Sequence, residues 1–266
     1  MSNADQLGGV LQRANHESKA FKYLRLSSRE INSGISCNFT VVLGNDPALD
    51  RAVMIKPVAV VFPNVANNVN ANNNTLSVMI NGPTYTVTIP PAFYNAGALA
   101  TAIEQAINPL IIGTVLNVTV VGGLFVFTVS SGIIAINAAS SLAPYLGFTD
   151  LVAPAISITA LTLPNLVGAT MLFIHSSTIA SNATYLNSDN AGVRDVNGFL
   201  SVPITAAYGA QQAYEFTDAQ LIVLGGQEGR SVRSLSITLR VNGGRLYTEL
   251  DSAQEFILVL KMFYRQ

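Results

Sequence analysis

Any chemistry in this chain would have to be built from very few reactive groups. The 266 residues include two histidines, His16 and His175, and a single cysteine, Cys37. Nucleophilic catalysis needs a hydroxyl or thiol beside a base, usually a His. His16 falls in a polar N-terminal stretch. His175 closes an apolar run, Phe173-Ile-His-Ser-Ser, where a hydrogen-bonded structural His is the commoner outcome. Two isolated His and one Cys cannot close a zinc site. Asp189-Asn-Ala-Gly-Val-Arg-Asp195 offers oxygen ligands and a Gly, but it lacks the spacing and terminal Glu of a calcium-binding EF-hand loop. Glu215, Asp218, Glu249 and Asp251 could supply a carboxylate pair for glycoside hydrolysis, yet they fall at strand ends, where acids are ordinary. Gly225-Gly-Gln-Glu-Gly-Arg230 has neither the Lys-Ser/Thr ending of a phosphate loop nor a helical pattern behind it, and reads as a β-turn. No catalytic, cofactor or metal site is expected.

What remains is a set of cations. Lys19, Lys22, Arg25 and Arg29 lie within eleven residues, opposed by Glu17 and Glu30, and Arg240 and Arg245 flank a turn at Asn242-Gly-Gly. These six are the candidate subunit-contact residues. A net charge of −1 gives no global basic field, so nucleic acid is not an expected partner.

The elements that would position these groups are β-strands. Half of the chain is hydrophobic and 11% is charged, against about 25% charged in ordinary soluble domains. The deficit is local: between Arg51 and Asp189 the charged residues are Lys56, Glu104 and Asp150. A weakly charged surface dressed with Asn, Thr and Ser suits a protein buried among neighbours, so assembly is expected. Apolar runs break at Gly, Pro or Asn well short of the roughly 20 residues of a membrane span. Residues 1–20 have no apolar core of signal-peptide type, and one Cys fits a reducing compartment.

Along the chain, residues 1–30 read as a polar, then basic, N-terminal arm. Strands follow over 35–43 and 52–62, with Pro57 at an edge or bulge position because it cannot donate to a ladder. Residues 63–74 contain seven Asn in twelve positions and read as a linker or exposed loop. Residues 75–148 form a module of their own. In it, two alternating runs flank the turn signal Asn81-Gly-Pro83, a helix carries Leu99, Ile103 and Ile107 on one stripe, and strands follow over 117–121, 125–130 and 133–136. Strand signals resume at 156–163 and continue over 169–175, 199–205, 213–216, 220–224, 234–241 and 256–263, punctuated by glycines. Short strands at this spacing, with little helix outside the module, indicate an antiparallel sandwich or jelly roll.

Several of these pieces together resemble the penton and minor capsid proteins of adenovirus-like double-stranded DNA viruses, such as virophages and large algal or amoebal viruses. The resemblance is carried by Ile80-Asn-Gly, Tyr85-Thr-Val-Thr-Ile-Pro, the helix led by Tyr94, and Tyr145-Leu-Gly-Phe148. The second half adds Pro164-Asn-Leu, Val202-Pro-Ile, Tyr208-Gly, Tyr214-Glu and Ser236-Ile-Thr-Leu-Arg-Val-Asn-Gly-Gly. Where the pattern expects a glycine after Pro90, this chain has Pro91. The resemblance implies a mainly β fold, an antiparallel single jelly-roll sandwich with a small inserted α+β domain. Its expected division is an arm over 1–30, the jelly roll over 31–70 and 152–266, and the insertion over 73–150. It also implies a non-enzymatic structural role in a virion: a homopentameric vertex protein in contact with major capsid capsomers and minor capsid proteins. A cement protein between capsomers, a fibre or carbohydrate-recognition module reading a host surface, and a sandwich hydrolase remain the alternatives.

Overall fold

The structure, a computed structural model, describes residues 20–31, 33–43, 52–137, 140–149, 153–180, 183–184, 198–217, 222–224, 233–241, 244–250 and 253–264. In chain order its strands are β1 (Ala20–Ser27), β2 (Ser33–Ile35), β3 (Asn38–Val42), β4 (Ala52–Pro63), β5 (Thr75–Ile80), β6 (Thr84–Thr88), β7 (Leu116–Val121), β8 (Leu124–Val129), β9 (Ile134–Ile136), β10 (Ser157–Thr159), β11 (Met171–His175), β12 (Ala183–Thr184), β13 (Gly198–Pro203), β14 (Gln211–Glu215), β15 (Ile222–Leu224), β16 (Ser234–Val241), β17 (Arg245–Leu246) and β18 (Ile257–Tyr264). The helices are α1 (Ala96–Ile107), α2 (Ala143–Leu146) and α3 (Ser177–Ala180). Two compact units result: one from Met1–Val65 with Thr170–Gln266, the other Ala66–Ala169.

The first unit is a jelly roll. Its strands form antiparallel pairs nested from the outside inward: β1 with β18, β3 with β16, β4 with β14 and β15, and β11 with β13. Rolling that stack brings β18 beside β4 and β16 beside β11. The outcome is one sheet in the order β1-β18-β4-β15-β12, with β14 also on β4, and a second in the order β13-β11-β16-β3-β2, with β17 on β16. Period-2 patterning supplies the core. Leu235, Ile237, Leu239 and Val241 of β16 and Leu258, Leu260 and Met262 of β18 are buried, while their neighbours along each strand turn outward.

Pro57 sits inside β4, a strand flanked on both sides. The ladder tolerates it because the β18 register skips a residue there, pairing Leu260 with Pro57 and Val259 with Ala59. On the other side β15 pairs with 54–55 and β14 with 59–63, so Pro57 falls between them.

The second unit holds two three-stranded antiparallel sheets, β6-β5-β9 and β10-β8-β7. α1 buries Leu99, Ala100, Ile103 and Ile107, and its N-terminus is capped by Asn95, whose Oδ1 accepts the Ala98 N–H at 2.8 Å. The β5–β6 hairpin turns through Asn81 and Gly82, both at positive φ, and Asn81 Oδ1 also accepts the Ile133 N–H. α2 ends at Gly147 (φ 92°), where a Cβ would lie 2.0 Å from the Thr162 carbonyl oxygen.

Three readings from sequence need correction. Residues 20–27, read as the end of a basic arm, form β1, in continuous register with β18; residues 1–19 lie outside the described residues. The strand expected to resume the sandwich at 156–163 supplies β10, which pairs with β8, so this stretch belongs to the unit Ala66–Ala169. Residues 63–74 are not an exposed linker: Asn64, Asn68, Asn73 and Asn74 are buried. The reason is that an Asn amide carries the same donor and acceptor as a peptide group, and here it satisfies buried backbone. Asn68 donates to the carbonyls of Tyr94 (2.7 Å) and Leu166 (2.9 Å) and accepts the Tyr94 N–H (2.8 Å). Asn73 accepts from Asn70 N–H and donates to the Asn68 carbonyl, and Asn74 donates to the Ile89 carbonyl.

At the end of β4, Tyr247 is fully buried, donates its hydroxyl proton to the Pro63 carbonyl and accepts the Val65 N–H at 2.7 Å. Burial is the main force pushing its phenol up to about 12, ahead of the opposing Val65 bond.

N68A strands three polar groups and is expected to destabilise the protein by about 2–4 kcal/mol in denaturant titration; a loss below 0.5 kcal/mol would contradict the bonding described. For Tyr247, the unfolded phenol ionises near pH 10 while the folded one stays protonated to about 12. Stability should therefore fall by about 2–3 kcal/mol as pH rises between those values. Y247F should be less stable at pH 7 and lose that part of the alkaline slope.

Candidate functional site

Among the described residues the candidate cations do not gather into one site. Lys22 is exposed on β1, in register with Met262, and Lys19 lies outside the described residues. Arg25 reaches across to the residues that lead into β18: Nη2 lies 2.8 Å from Glu255 Oε1 and Nη1 3.0 Å from Glu30 Oε1. Arg29 donates to the Ala253 carbonyl at 2.9 Å, with Nε 4.0 Å from Glu255 Oε2. Glu255 also accepts the Ser27 hydroxyl at 2.6 Å, and that bond, followed by the Arg25 and Arg29 charges, holds its carboxyl below the usual range. Together these groups fasten the start of the fold to the lead-in of β18.

Arg240 and Arg245 flank the β16–β17 connection, as the sequence predicts, but they serve separate roles. Arg240 donates to the Gly244 carbonyl, while Arg245, mostly buried, pairs with Glu249 at 2.6 Å. The Asn242-Gly243 part of the turn lies outside the described residues.

Neither does a catalytic arrangement assemble among the described residues. His175 is buried at the end of β11, in register with Thr238 and Gly198 at a bulge. The hydroxyls that follow it bond to structure: Ser177 Oγ meets Ser236 Oγ at 2.6 Å, and Ser176 Oγ accepts the Ile179 N–H. Glu215 is exposed on β14, whereas Glu249 is taken by Arg245. Burial raises the Cys37 thiol, which suits an inert core residue. Among the described residues no group of three His, Cys, Asp or Glu could hold a metal ion, and no helix is long and apolar enough to cross a membrane. His16, Asp189, Asp195, Asp218, Arg230 and Asp251 lie outside the described residues.

What the structure does present is uncharged surface. Within the unit Ala66–Ala169, Ile112, Val115, Val121, Ile156, Leu161, Leu163 and Val167 are each more than half exposed. The jelly-roll unit adds an aromatic patch on the outer face of β1 and β18. There Phe21 and Tyr23 are about half exposed, and Lys261 Nζ stands 3.8 Å from the Phe21 ring centre and 5.2 Å from that of Phe263. Strand alternation in 20–27 (Phe21, Tyr23, Arg25 against Leu24, Leu26) is the sequence signal that could have revealed this patch; the basic residues masked it.

Glu104, the one charge of 66–149, has a structural task that sequence reasoning missed. Its Oε1 accepts the Val118 N–H at 2.6 Å on the free edge of β7, and one turn later Asn108 brackets Leu116, accepting its N–H at 2.8 Å and donating to its carbonyl at 3.0 Å. One helical face thus takes the place of a neighbouring strand. The i, i+4 spacing of Glu104 and Asn108 is visible in the sequence, but it acquires meaning only once β7 lies alongside.

No known family profile and no curated protein matches the chain. Among solved structures, that of the mavirus penton protein is similar, with a TM-score of 0.50 and 11% identity, the match covering 92% of this chain and 100% of that one. At this identity the likeness is one of fold.

Because Glu255 is held below its ordinary value, its contribution is complete above that value of about 4.5 and is lost as pH falls through the lowered one. E255Q is expected to be less stable than wild type at pH 7 and to converge with it in acid; equal stabilities at pH 7 in chemical denaturation would refute the role.

Proposed function

We propose that this chain is a structural capsid protein of penton type, five copies of which close a vertex of an icosahedral shell. The observation that carries the reading is the fold likeness to a penton protein over the whole of that chain: a single jelly roll interrupted between β4 and β11 by a compact α+β unit.

The surface chemistry supports it. A unit with one carboxylate in 66–149 and many half-exposed aliphatic side chains is poorly suited to isolation in water and well suited to burial among neighbours. Stable subunit contacts bury roughly 1,200 Å² or more, and apolar area supplies most of their free energy. Arg25 and Arg29, already paired with Glu255, would act at the rim of such a contact, steering and registering subunits more than holding them. Lys19, Lys22, Arg240 and Arg245 are the other cations for that role. In this reading the partners are copies of the chain and neighbouring capsomers, the location is the virion, and the protein is not an enzyme.

Native mass measurement of the purified protein tests the proposal. The expected species is a pentamer of about 140 kDa, from chains of 28.1 kDa. A stable monomer would favour a cement role and a trimer a fibre-type recognition head, and either would overturn the vertex assignment.

A further inference from the structure

Strand edges in the unit Ala66–Ala169 are not treated alike. The β7 edge is occupied by Glu104 and Asn108. On β9, Ile134 and Ala155 exchange backbone hydrogen bonds on the side away from β5, and β10 is three residues long. That leaves β6, the segment Thr84-Tyr-Thr-Val-Thr88.

The ladder phase shows which of its groups are unused. Ile89 N–H bonds Asn74 C=O and Ile80 N–H bonds Pro83 C=O, each across register partners, so the inward-bonding positions on this side are 83, 85, 87 and 89. Thr84, Thr86 and Thr88 therefore point their N–H and C=O groups away from β5. All three threonines are exposed, and no described residue hydrogen-bonds those outward groups. β6 also lacks the protections that natural edges carry: it has no charge, no bulge and no internal proline.

We propose that β6 docks on β6 of a second copy of this chain, the two strands running antiparallel about a two-fold axis through Thr86. Three features select this occupant. First, the register that pairs Thr86 with Thr86, and Thr84 with Thr88, matches every outward donor to an outward acceptor. Second, the strand is chemically near-symmetric about Thr86: threonines face threonines on one side, and Tyr85 meets Val87 on the other, cross-strand pairs that favour association. Third, nothing charged lies between Lys56 and Glu104, so like charges do not oppose a self-contact, while Pro83 and Pro90 bound the strand and penalise a slipped register. The contact is isologous and closes at two copies. It is separate from the five-fold contact and stands or falls independently of it.

Cross-linking tests it on the full-length protein. In the proposed register the two Thr86 Cα atoms are about 5.5 Å apart, inside the disulfide range of about 4.4–6.8 Å, whereas Thr84 faces Thr88 and lies far from its own copy. Mild oxidation of T86C should give a covalent dimer of about 56 kDa, from 28.1 kDa chains, and T84C should not. Cys37 is buried and leaves the background low. In sedimentation, T86P should abolish pairwise association with only a small loss of thermal stability, because the N–H it removes points outward and the side-chain bond it removes, Thr86 Oγ1 to Ser77 Oγ, is exposed. T86K should weaken association in a salt-dependent way. Equal cross-linking of T84C and T86C, or association unchanged by T86P, would overturn the proposal. Pentamers that fail to pair would sink this inference alone; pairs without pentamers would sink the vertex reading alone.

Discussion

The jelly-roll unit depends on the pairing of its last strand with its first. β18 lies between β1 and β4, so neither of those strands has its inner partner until the end of the chain arrives. The four nested pairs follow from that closure, since each shorter hairpin stacks on the one outside it. The contacts that define the fold are therefore among the most distant in sequence, which costs loop entropy before burial repays it. The Arg25, Ser27 and Glu255 cluster sits where this closure begins, joining the end of β1 to the residue before Phe256, whose ring meets Phe39 of the other sheet at 6.2 Å.

Amide and hydroxyl groups replace charge through much of the chain. Asn68, Asn73 and Asn74 satisfy buried backbone where a charged side chain would need a partner of its own, and Tyr247 does the same at the end of β4 with a phenol kept neutral by burial. A neutral buried group that is fully bonded costs far less than a buried ion. This lets the stretch 66–149, with Glu104 as its single carboxylate, bury a continuous core while carrying almost no charge. Glu104 is placed where an acceptor is needed, on an edge-strand N–H that no neighbouring strand receives.

Among the described residues His175 and Cys37 are buried, Glu249 and Glu255 are ion-paired, and Glu215 stands exposed on β14, while the surface offers strand edges, exposed aliphatic side chains and an aromatic patch.

Much of this was legible in the sequence. Period-2 runs over 234–241 and 256–263 located β16 and β18, the 99/103/107 stripe located α1, and Asn81-Gly82 located its hairpin, because each depends on residues within a few positions of one another. Sequence alone also determined the poverty of reactive side chains and the low charge. Four things were decided only by tertiary structure: that residues 20–27 are a strand, that 157–159 pairs with β8, that the Asn run turns inward, and that Glu104 plugs an edge. In each case the deciding hydrogen-bond partner lies far along the chain, as Ser27 does from Glu255 and Asn68 from Leu166. Periodicity tells a segment which face to bury; it carries no information about which distant edge or carbonyl will be there to receive it.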